Sequence, residues 1–220
     1  MRATEITIPV QDAQLGGELS LSDESSGLVL FAHGSGSSRH SPRNQFVAGM
    51  LRGAGVGTLL FDLMTAQEEQ AGAGTRHLRF DIPFLAGRLV AATKWALDEA
   101  TIRDISIGYF GASTGAAAAL VAAAELPENI NVVVSRGGRP DLAGDALERV
   151  RASTLLIVGG KDTAVISLNE EAYSRLQCEK ALRIVPGATH LFEEPGTLET
   201  VARMASEWFA DHFRPMGKAR

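Results

Sequence analysis

The 220-residue chain lacks several features that mark specialised classes of protein. It has one cysteine, Cys178, and so can form neither an internal disulfide nor a CxxC metal site. No apolar run reaches the roughly 18 residues of a membrane-spanning helix. The N-terminus, MRATEITIPV, has no basic stretch followed by an apolar run, as a secretory signal would. We therefore expect a cytoplasmic protein without a membrane partner.

Basic residues are fewer than acidic ones: the chain has 21 Lys and Arg and 26 Asp and Glu, which gives a net charge of −5. This balance argues against nucleic acid as the partner. The five histidines are scattered, with neither HExxH nor an EF-hand loop, and we predict no metal site. Length and a 45% hydrophobic content fit one domain over residues 1–220.

Short β-branched runs alternate with segments of helical period along the chain, which is typical of a mostly parallel sheet covered by helices on both faces. Residues 4–10 and 14–21 predict a hairpin at one edge. Six later runs predict strands buried on both faces: residues 27–32, 56–61, 104–110, 131–135, 153–158 and 180–185. The sequence therefore predicts an eight-stranded α/β fold.

Apolar spacing predicts the helices between these strands. The predicted inward faces carry Phe46, Val47, Met50 and Leu51 after Pro42; Leu85, Leu89, Ala92 and Ala96 after Pro83; and Leu198, Val201, Ala202, Ala205, Trp208 and Phe209 in the last helix. The alanine-rich segment after Gly115 predicts a central helix. Residues 63–78 are expected to form a long polar loop, of the length that often carries function.

A GxSxG motif, Gly111-Ala112-Ser113-Thr114-Gly115, follows a predicted strand directly and opens a predicted helix. A nucleophile on such a turn adopts strained backbone angles, so its neighbours must be glycine, and its hydroxyl stands clear of the sheet. The alternative is a glycine-rich turn that serves only close helix packing. We interpret Ser113 as the candidate nucleophile.

A serine nucleophile needs a base, and the base needs an acid that holds its tautomer. Asp162, in GGKDT, and His190, in PGATHLF, each follow a predicted strand. Parallel strands end at the same edge of a sheet, so these residues can meet Ser113. Asp141, in RGGRPD, is a rival acid; we favour Asp162.

Acyl transfer also needs two backbone N–H donors for the oxyanion. Thr114 follows the nucleophile and is one candidate. The other is Ser35, in the glycine-rich segment HGSGSS after residues 27–32, where the main chain can approach a substrate. His33, at the start of that segment, is interpreted as a structural residue that joins neighbouring loops.

Six arginines follow predicted strands on the same side: Arg39, Arg43, Arg76, Arg79, Arg136 and Arg139. One interpretation is salt bridging to nearby acids, which are Asp62, Asp81, Asp141, Glu68 and Glu69. The other is that a guanidinium holds a carboxylate or phosphate of a small substrate, since its planar fork binds such groups at two points. Under that hypothesis Arg39 and Arg136 line the substrate.

A dinucleotide site is a competing interpretation, because GSGSSR follows a strand and Asp62 ends the next one. However, Arg39 takes the place of the third glycine. Pro42 predicts a helix that begins about six residues after Gly36, too far for its N-terminus to lie under a pyrophosphate. We predict no cofactor.

With HGSGSS, GASTG, GGKD and GATH in this order, the chain resembles the α/β-hydrolases over essentially its whole length. Its small size and the 17 residues of the 136–152 segment, where lids are often inserted, resemble the dienelactone hydrolase-like branch. The resemblance implies an α/β-hydrolase fold without a cap domain and an open site. Dienelactone hydrolases proper carry cysteine at the elbow, where this chain has Ser113, which argues against dienelactone itself as substrate.

Together, the residues and the resemblance predict a serine hydrolase for a small ester-type molecule, either a carboxylic ester, a thioester or a lactone. Catalysis would run through an acyl-enzyme on Ser113, with His190 as base and Asp162 as its acid partner. A hypothesis from another class is a ligand-binding or scaffold protein that keeps the elbow by descent.

Overall fold

The computed structural model describes residues 3–10, 13–71, 78–99, 102 and 105–213. The strands in these ranges are β1 (Thr4–Val10), β2 (Ala13–Ser20), β3 (Leu28–Ala32), β4 (Gly57–Phe61), β5 (Ile107–Ala112), β6 (Ile130–Arg136), β7 (Ser153–Gly159) and β8 (Lys180–Val185). They form an eight-stranded sheet in the order β1-β2-β4-β3-β5-β6-β7-β8. Strand β2 runs antiparallel to both β1 and β4, and β3 to β8 are parallel. The predicted eight-stranded α/β fold is confirmed.

Helices cover both faces of this sheet. They are α1 (Pro42–Gly53), α2 (Ala66–Ala71), α3 (Ile82–Asp98), α4 (Thr114–Glu125), α5 (Thr163–Arg175) and α6 (Thr197–His212). A 3₁₀ segment, Pro140–Arg149, is interrupted by Gly144, which has φ 54° and ψ −131°. None of the helices within the described ranges has both the length and the apolarity needed to cross a lipid bilayer.

The core is divided by the sheet into two layers. Helices α3 and α4 pack with Tyr109 and Leu120 on one face. On the other face, α1 and α6 pack with Phe31, Phe110 and Phe209. Because the six parallel strands are covered on both sides, their carboxyl ends meet at one edge, and the loops after β3, β5, β6, β7 and β8 are brought together there.

Two predicted buried faces need correction. Strand β8 occupies residues 180–185 as predicted, but Arg183 and Ile184 are exposed because β8 is the last strand of the sheet. In α1, Phe46 and Met50 are 38% and 43% exposed, whereas Val47 and Leu51 are buried. Since Val47 and Leu51 lie four residues apart, the stripe that faces the sheet is narrower than the predicted one.

The predicted long loop over residues 63–78 is also wrong in part, because it contains α2 and continues into a 3₁₀ turn at Leu78–Phe80. Thr65 and Glu68 form a capping box: the Glu68 N–H donates to Thr65 Oγ1 over 3.2 Å, and the Thr65 N–H donates to Glu68 Oε2 over 2.7 Å. The sequence signal for this helix is TAQE at residues 65–68, in which a threonine is followed three residues later by a glutamate. Residues 72–77, with Arg76, lie outside the described residues.

Candidate active site

Ser113 lies at the sharp turn between β5 and α4, with φ 51° and ψ −122°. Positive φ is uncommon for a residue other than glycine and indicates local strain. The flanking glycines permit this turn: a Cβ on Gly115 would come within 2.1 Å of the Ala32 oxygen, and one on Gly111 within 2.5 Å of Ala116 Cα. Close packing of the helix on the sheet is enough to explain why residues 111 and 115 are glycine. It does not explain why Ser113 itself has strained backbone angles.

The imidazole of His190 and the carboxylate of Asp162 form a hydrogen bond, with Nδ1 and Oδ2 separated by 2.6 Å. Asp162 lies between β7 and α5, and His190 follows β8. A carboxylate only accepts, so His190 Nδ1 carries the donated proton and Nε2 is left for a second partner. The rival acid Asp141 is engaged elsewhere, by two bonds from Arg139 of 2.9 and 2.8 Å.

The turn after β6 joins the serine to the histidine. The Ser113 N–H donates to the Arg136 oxygen over 3.4 Å. The next residue, Gly137, has φ 50°, and a Cβ placed on it would lie 2.9 Å from the His190 oxygen. Within the described part of the chain, the Ser113 hydroxyl makes no hydrogen bond to His190. Such catalytic bonds are often loose until a substrate is bound.

The two candidate oxyanion donors are in contact. The Ser35 N–H donates to Thr114 Oγ1 over 3.0 Å, and a Cβ on Gly34 would lie 3.0 Å from Ser113 Cβ. The Thr114 N–H belongs to the first turn of α4, whose leading N–H groups have no partner within the helix. The segment after β3 therefore lies directly against the elbow.

His33 has the structural role predicted for it. Its Nε2 accepts a hydrogen bond from the Leu63 N–H over 3.0 Å, and its Nδ1 lies 3.1 Å from the Gly34 oxygen. Because Nε2 accepts, the ring is neutral and Nδ1 donates. Burial lowers the pKa of His33, and the ring therefore stays in this neutral form.

The chain is similar to several known proteins. A crystal structure of dienelactone hydrolase from Anabaena variabilis is 55% identical to the chain, with a TM-score of 0.95 over 97% of this chain and 99% of that one. The chain belongs to the dienelactone hydrolase-like branch of the α/β-hydrolases. Est1E from Butyrivibrio proteoclasticus, 16% identical over 94% of this chain and 98% of its own with a TM-score of 0.78, shares the fold. No family model matches the chain.

Two curated proteins from strains of Mycobacterium tuberculosis are also similar to this chain. Both are named "Putative phosphoribosyl transferase" and are 53% identical over 212 residues, which is 96% of this chain. The chain spans 47% of their length, about half of each relative.

Within the described residues, four of the arginines at this edge of the sheet form ion pairs. Arg39 contacts Asp62 through its guanidinium and its N–H, Arg79 contacts Glu69, Arg139 contacts Asp141, and Arg43 lies 3.3 Å from Glu193. For Arg39 the structure therefore favours the salt-bridge alternative over a substrate contact. The Asp62 carboxylate is in turn occupied by Arg39.

A cavity of about 750 Å³ opens beside the segment after β3, with Ser35, Ser41, Arg43 and Arg79 among its lining residues, whereas Ser113, Asp162 and His190 do not line it. The side chains of Arg39 and Arg136 do not line it. Arg136 instead lies buried against α1, where its Nη2 is 3.5 Å from Asn44 Oδ1. Sequence reasoning missed Asn44, although a polar residue on the inward side of a helix start is a signal of such a contact.

Among the described residues, no group of three or more His, Cys, Asp or Glu side chains is placed to hold a metal ion. Cys178 is half-buried, with its Sγ 3.6 Å from Thr154 Oγ1.

Proposed function

We propose that the chain is a serine hydrolase that cleaves a small carboxylic ester, thioester or lactone through an acyl-enzyme on Ser113. The observation that carries this proposal is the combination of the strained serine, at φ 51°, with the 2.6 Å contact between His190 and Asp162 at the same edge of the sheet. The family membership supports a hydrolase.

In the first half of the reaction, His190 Nε2 accepts the Ser113 proton while Oγ forms a bond to the substrate carbonyl carbon. The carbonyl oxygen becomes an oxyanion, which accepts a hydrogen bond from the Thr114 N–H and a second from the Ser35 N–H, which turns to it from Thr114 Oγ1. The bond to the leaving group then breaks as the leaving group takes the proton from His190. Asp162 stays ionised and holds the imidazole in place.

In the second half, a water molecule gives a proton to His190 and attacks the acyl carbon. The bond between that carbon and Ser113 Oγ breaks, the serine regains its proton, and the acid is released. The same apparatus serves esters, thioesters and lactones.

The test is labelling with a fluorophosphonate probe, which reacts with activated serines. We expect stoichiometric labelling at Ser113, abolished in Ser113→Ala, together with turnover of p-nitrophenyl butyrate. A folded sample that neither reacts with the probe nor cleaves the ester would instead support the alternative, a ligand-binding or scaffold protein on the same fold.

A further inference from the structure

Asn169 is a polar residue on the face of α5 that packs into the core. The buried residues of this helix are Val165, Asn169 and Ala172, which share one stripe at the helical spacing, and Asn169 alone among them is polar. It is fully buried, and among the described residues its Oδ1 has no hydrogen-bond partner. Burying such an oxygen is unfavourable, and an apolar side chain of similar volume would avoid that cost. The amide N–H groups therefore need a role that offsets it.

The Asn169 amide nitrogen binds two backbone oxygens. Nδ2 donates to the Val165 oxygen over 2.8 Å and to the Gly138 oxygen over 3.0 Å. Carbonyl oxygens only accept, so the amide nitrogen and not the amide oxygen faces them. The first bond lies within α5. The second crosses to the turn after β6, where a Cβ on Gly138 would collide with Ser135 Oγ.

The peptide group between Gly138 and Arg139 connects this amide to Ser113. Its C=O accepts the bond from Asn169, and its N–H donates to the Ser113 oxygen over 3.1 Å. A peptide group is planar, so the direction of its carbonyl sets the direction of its N–H. Hydrogen bonds linked in this way also polarise one another. Asn169 thus orients and strengthens the donor that binds the backbone of Ser113.

The turn after β6 binds both backbone polar groups of Ser113. The Ser113 N–H donates to the Arg136 oxygen over 3.4 Å, and the Ser113 oxygen accepts from the Arg139 N–H. Ser113 has φ 51°, and strained angles of this kind persist only where the surrounding structure holds them. Loosening the turn would let Ser113 relax, and its Oγ would move with it.

We propose that Asn169 is a positioning residue for the Ser113 nucleophile and acts through the Gly138–Arg139 peptide. The proposal rests on the proposed function, because the position of Ser113 Oγ matters only if that atom attacks a substrate. Asp162 is the N-cap of α5, so the helix that begins at the acid also holds, through Asn169, the turn that holds the nucleophile. Since Asn169 is fully buried, its effect on the reaction is indirect.

The first experiment measures the reactivity of Ser113 in two variants. Asn169→Leu keeps about the same volume and removes both bonds. In Asn169→Thr the single hydroxyl donor can bond the oxygen four residues earlier, so this variant keeps the Val165 bond and loses only the one to Gly138. In each variant we expect kcat/KM for p-nitrophenyl butyrate and the rate of fluorophosphonate labelling to fall at least about tenfold. Wild-type values in Asn169→Thr would overturn the proposal.

Thr93→Val is the matched control. Thr93 lies on α3 and is also fully buried; its Oγ1 donates to the Leu89 oxygen over 2.8 Å and lies 2.7 Å from the Tyr109 hydroxyl oxygen. Like Asn169→Leu, this variant loses one bond within its helix and one to another element, but away from the turn after β6. We expect similar losses of Tm in the two variants and wild-type reactivity of Ser113 in Thr93→Val. Equal losses of reactivity would make Asn169 a merely structural residue and overturn the proposal.

The second experiment follows the connecting peptide itself, by amide hydrogen exchange measured with NMR. The reference is the Gly160 N–H, which donates to the Val185 oxygen over 2.9 Å at the same edge of the sheet. Relative to this reference, we expect the Arg139 N–H to exchange about tenfold faster in both Asn169 variants and as in the wild type in Thr93→Val. Unchanged exchange at Arg139 in the Asn169 variants would overturn the proposal.

The two proposals fail in distinguishable ways. If the wild type is labelled at Ser113 and cleaves the ester, and the Asn169 variants do so equally well, the positioning role is overturned and the hydrolase stands. If exchange at Arg139 quickens in the Asn169 variants but the wild type neither reacts with the fluorophosphonate nor cleaves an ester, the hydrolase is overturned. The structural link from Asn169 to Ser113 then stands without a catalytic purpose.

Discussion

The backbone N–H of Ser35 donates a hydrogen bond to the side-chain oxygen of Thr114 over 3.0 Å. These two residues supply the two N–H donors that we propose for the oxyanion. The Thr114 hydroxyl thus holds the segment that carries one donor and accepts that donor's proton until an oxyanion takes its place, while the Thr114 N–H is the other donor. The glycine-rich segment after β3 is tied in this way to the first residue of α4, beside Ser113.

Thr114→Val tests this tie, because it removes the hydroxyl and keeps the shape of the side chain. We expect the free energy of unfolding to fall by about 1 kcal/mol, the usual net value of one hydrogen bond. We also expect kcat for p-nitrophenyl butyrate to fall about tenfold, because the segment that carries the Ser35 N–H is no longer held against the elbow. Thr114→Ser keeps the acceptor and should restore most of both quantities. Equal kcat in Thr114→Val and the wild type would show that the hydroxyl does not position the donor.

Asp162→Asn tests the choice of the acid. An amide in place of the carboxylate can hold the wrong tautomer of His190, so we expect kcat to fall by about 10⁴ with little change in Tm. Asp141→Asn is the matched control, since Asp141 binds Arg139 and makes no contact with His190. It should keep kcat within about threefold, in line with a partly exposed ion pair. The reverse order of the two effects would make Asp141 the acid.

His33 should make the fold sensitive to acid. Burial places its pKa below the ordinary value of 6.5. As the pH falls through 6.5, the unfolded chain therefore binds a proton before the folded one, and stability is lost until the folded pKa is reached. We expect the unfolding free energy to fall by up to about 1.4 kcal/mol per pH unit in this window.

The measurement is urea unfolding between pH 8 and pH 5, with His33→Asn as the comparison. Asparagine can still accept the Leu63 N–H but does not titrate, so its loss of stability over this range should be smaller than in the wild type. Parallel curves for the two proteins would mean that His33 does not contribute.

The sequence predicted the strands, the helices and the loops that follow the strands. It did not predict exposure at the edge of the sheet or ion pairs between distant segments. Strand-to-loop junctions at Ser113, Asp162 and His190 follow from local patterns, because parallel strands must end at one edge. The exposure of Arg183 depends on β8 being an edge strand, which no local pattern shows. Whether an arginine such as Arg136 forms an ion pair depends on which carboxylates packing brings near it. Ion pairs between distant segments cannot be predicted from a local pattern.

The contact between Gly137 and the His190 segment gives a test of how that segment is held. Gly137 and Gly144 both have positive φ, 50° and 54°, so alanine is strained at either position. Only at Gly137 would the new Cβ also meet protein, 2.9 Å from the His190 oxygen, whereas nothing lies within 4 Å at Gly144. Both variants should lose about 1 to 2 kcal/mol of stability from the backbone strain.

Gly137→Ala should in addition lower kcat about tenfold, because relief of the contact shifts the His190 segment by a fraction of the 1 Å displacement that can cost about 100-fold. Gly144→Ala should keep kcat close to the wild type. Measuring kcat for p-nitrophenyl butyrate and Tm for both variants separates strain from displacement. If the two glycine variants lost activity equally, strain alone would explain the loss, and the turn after β6 would have no part in positioning His190.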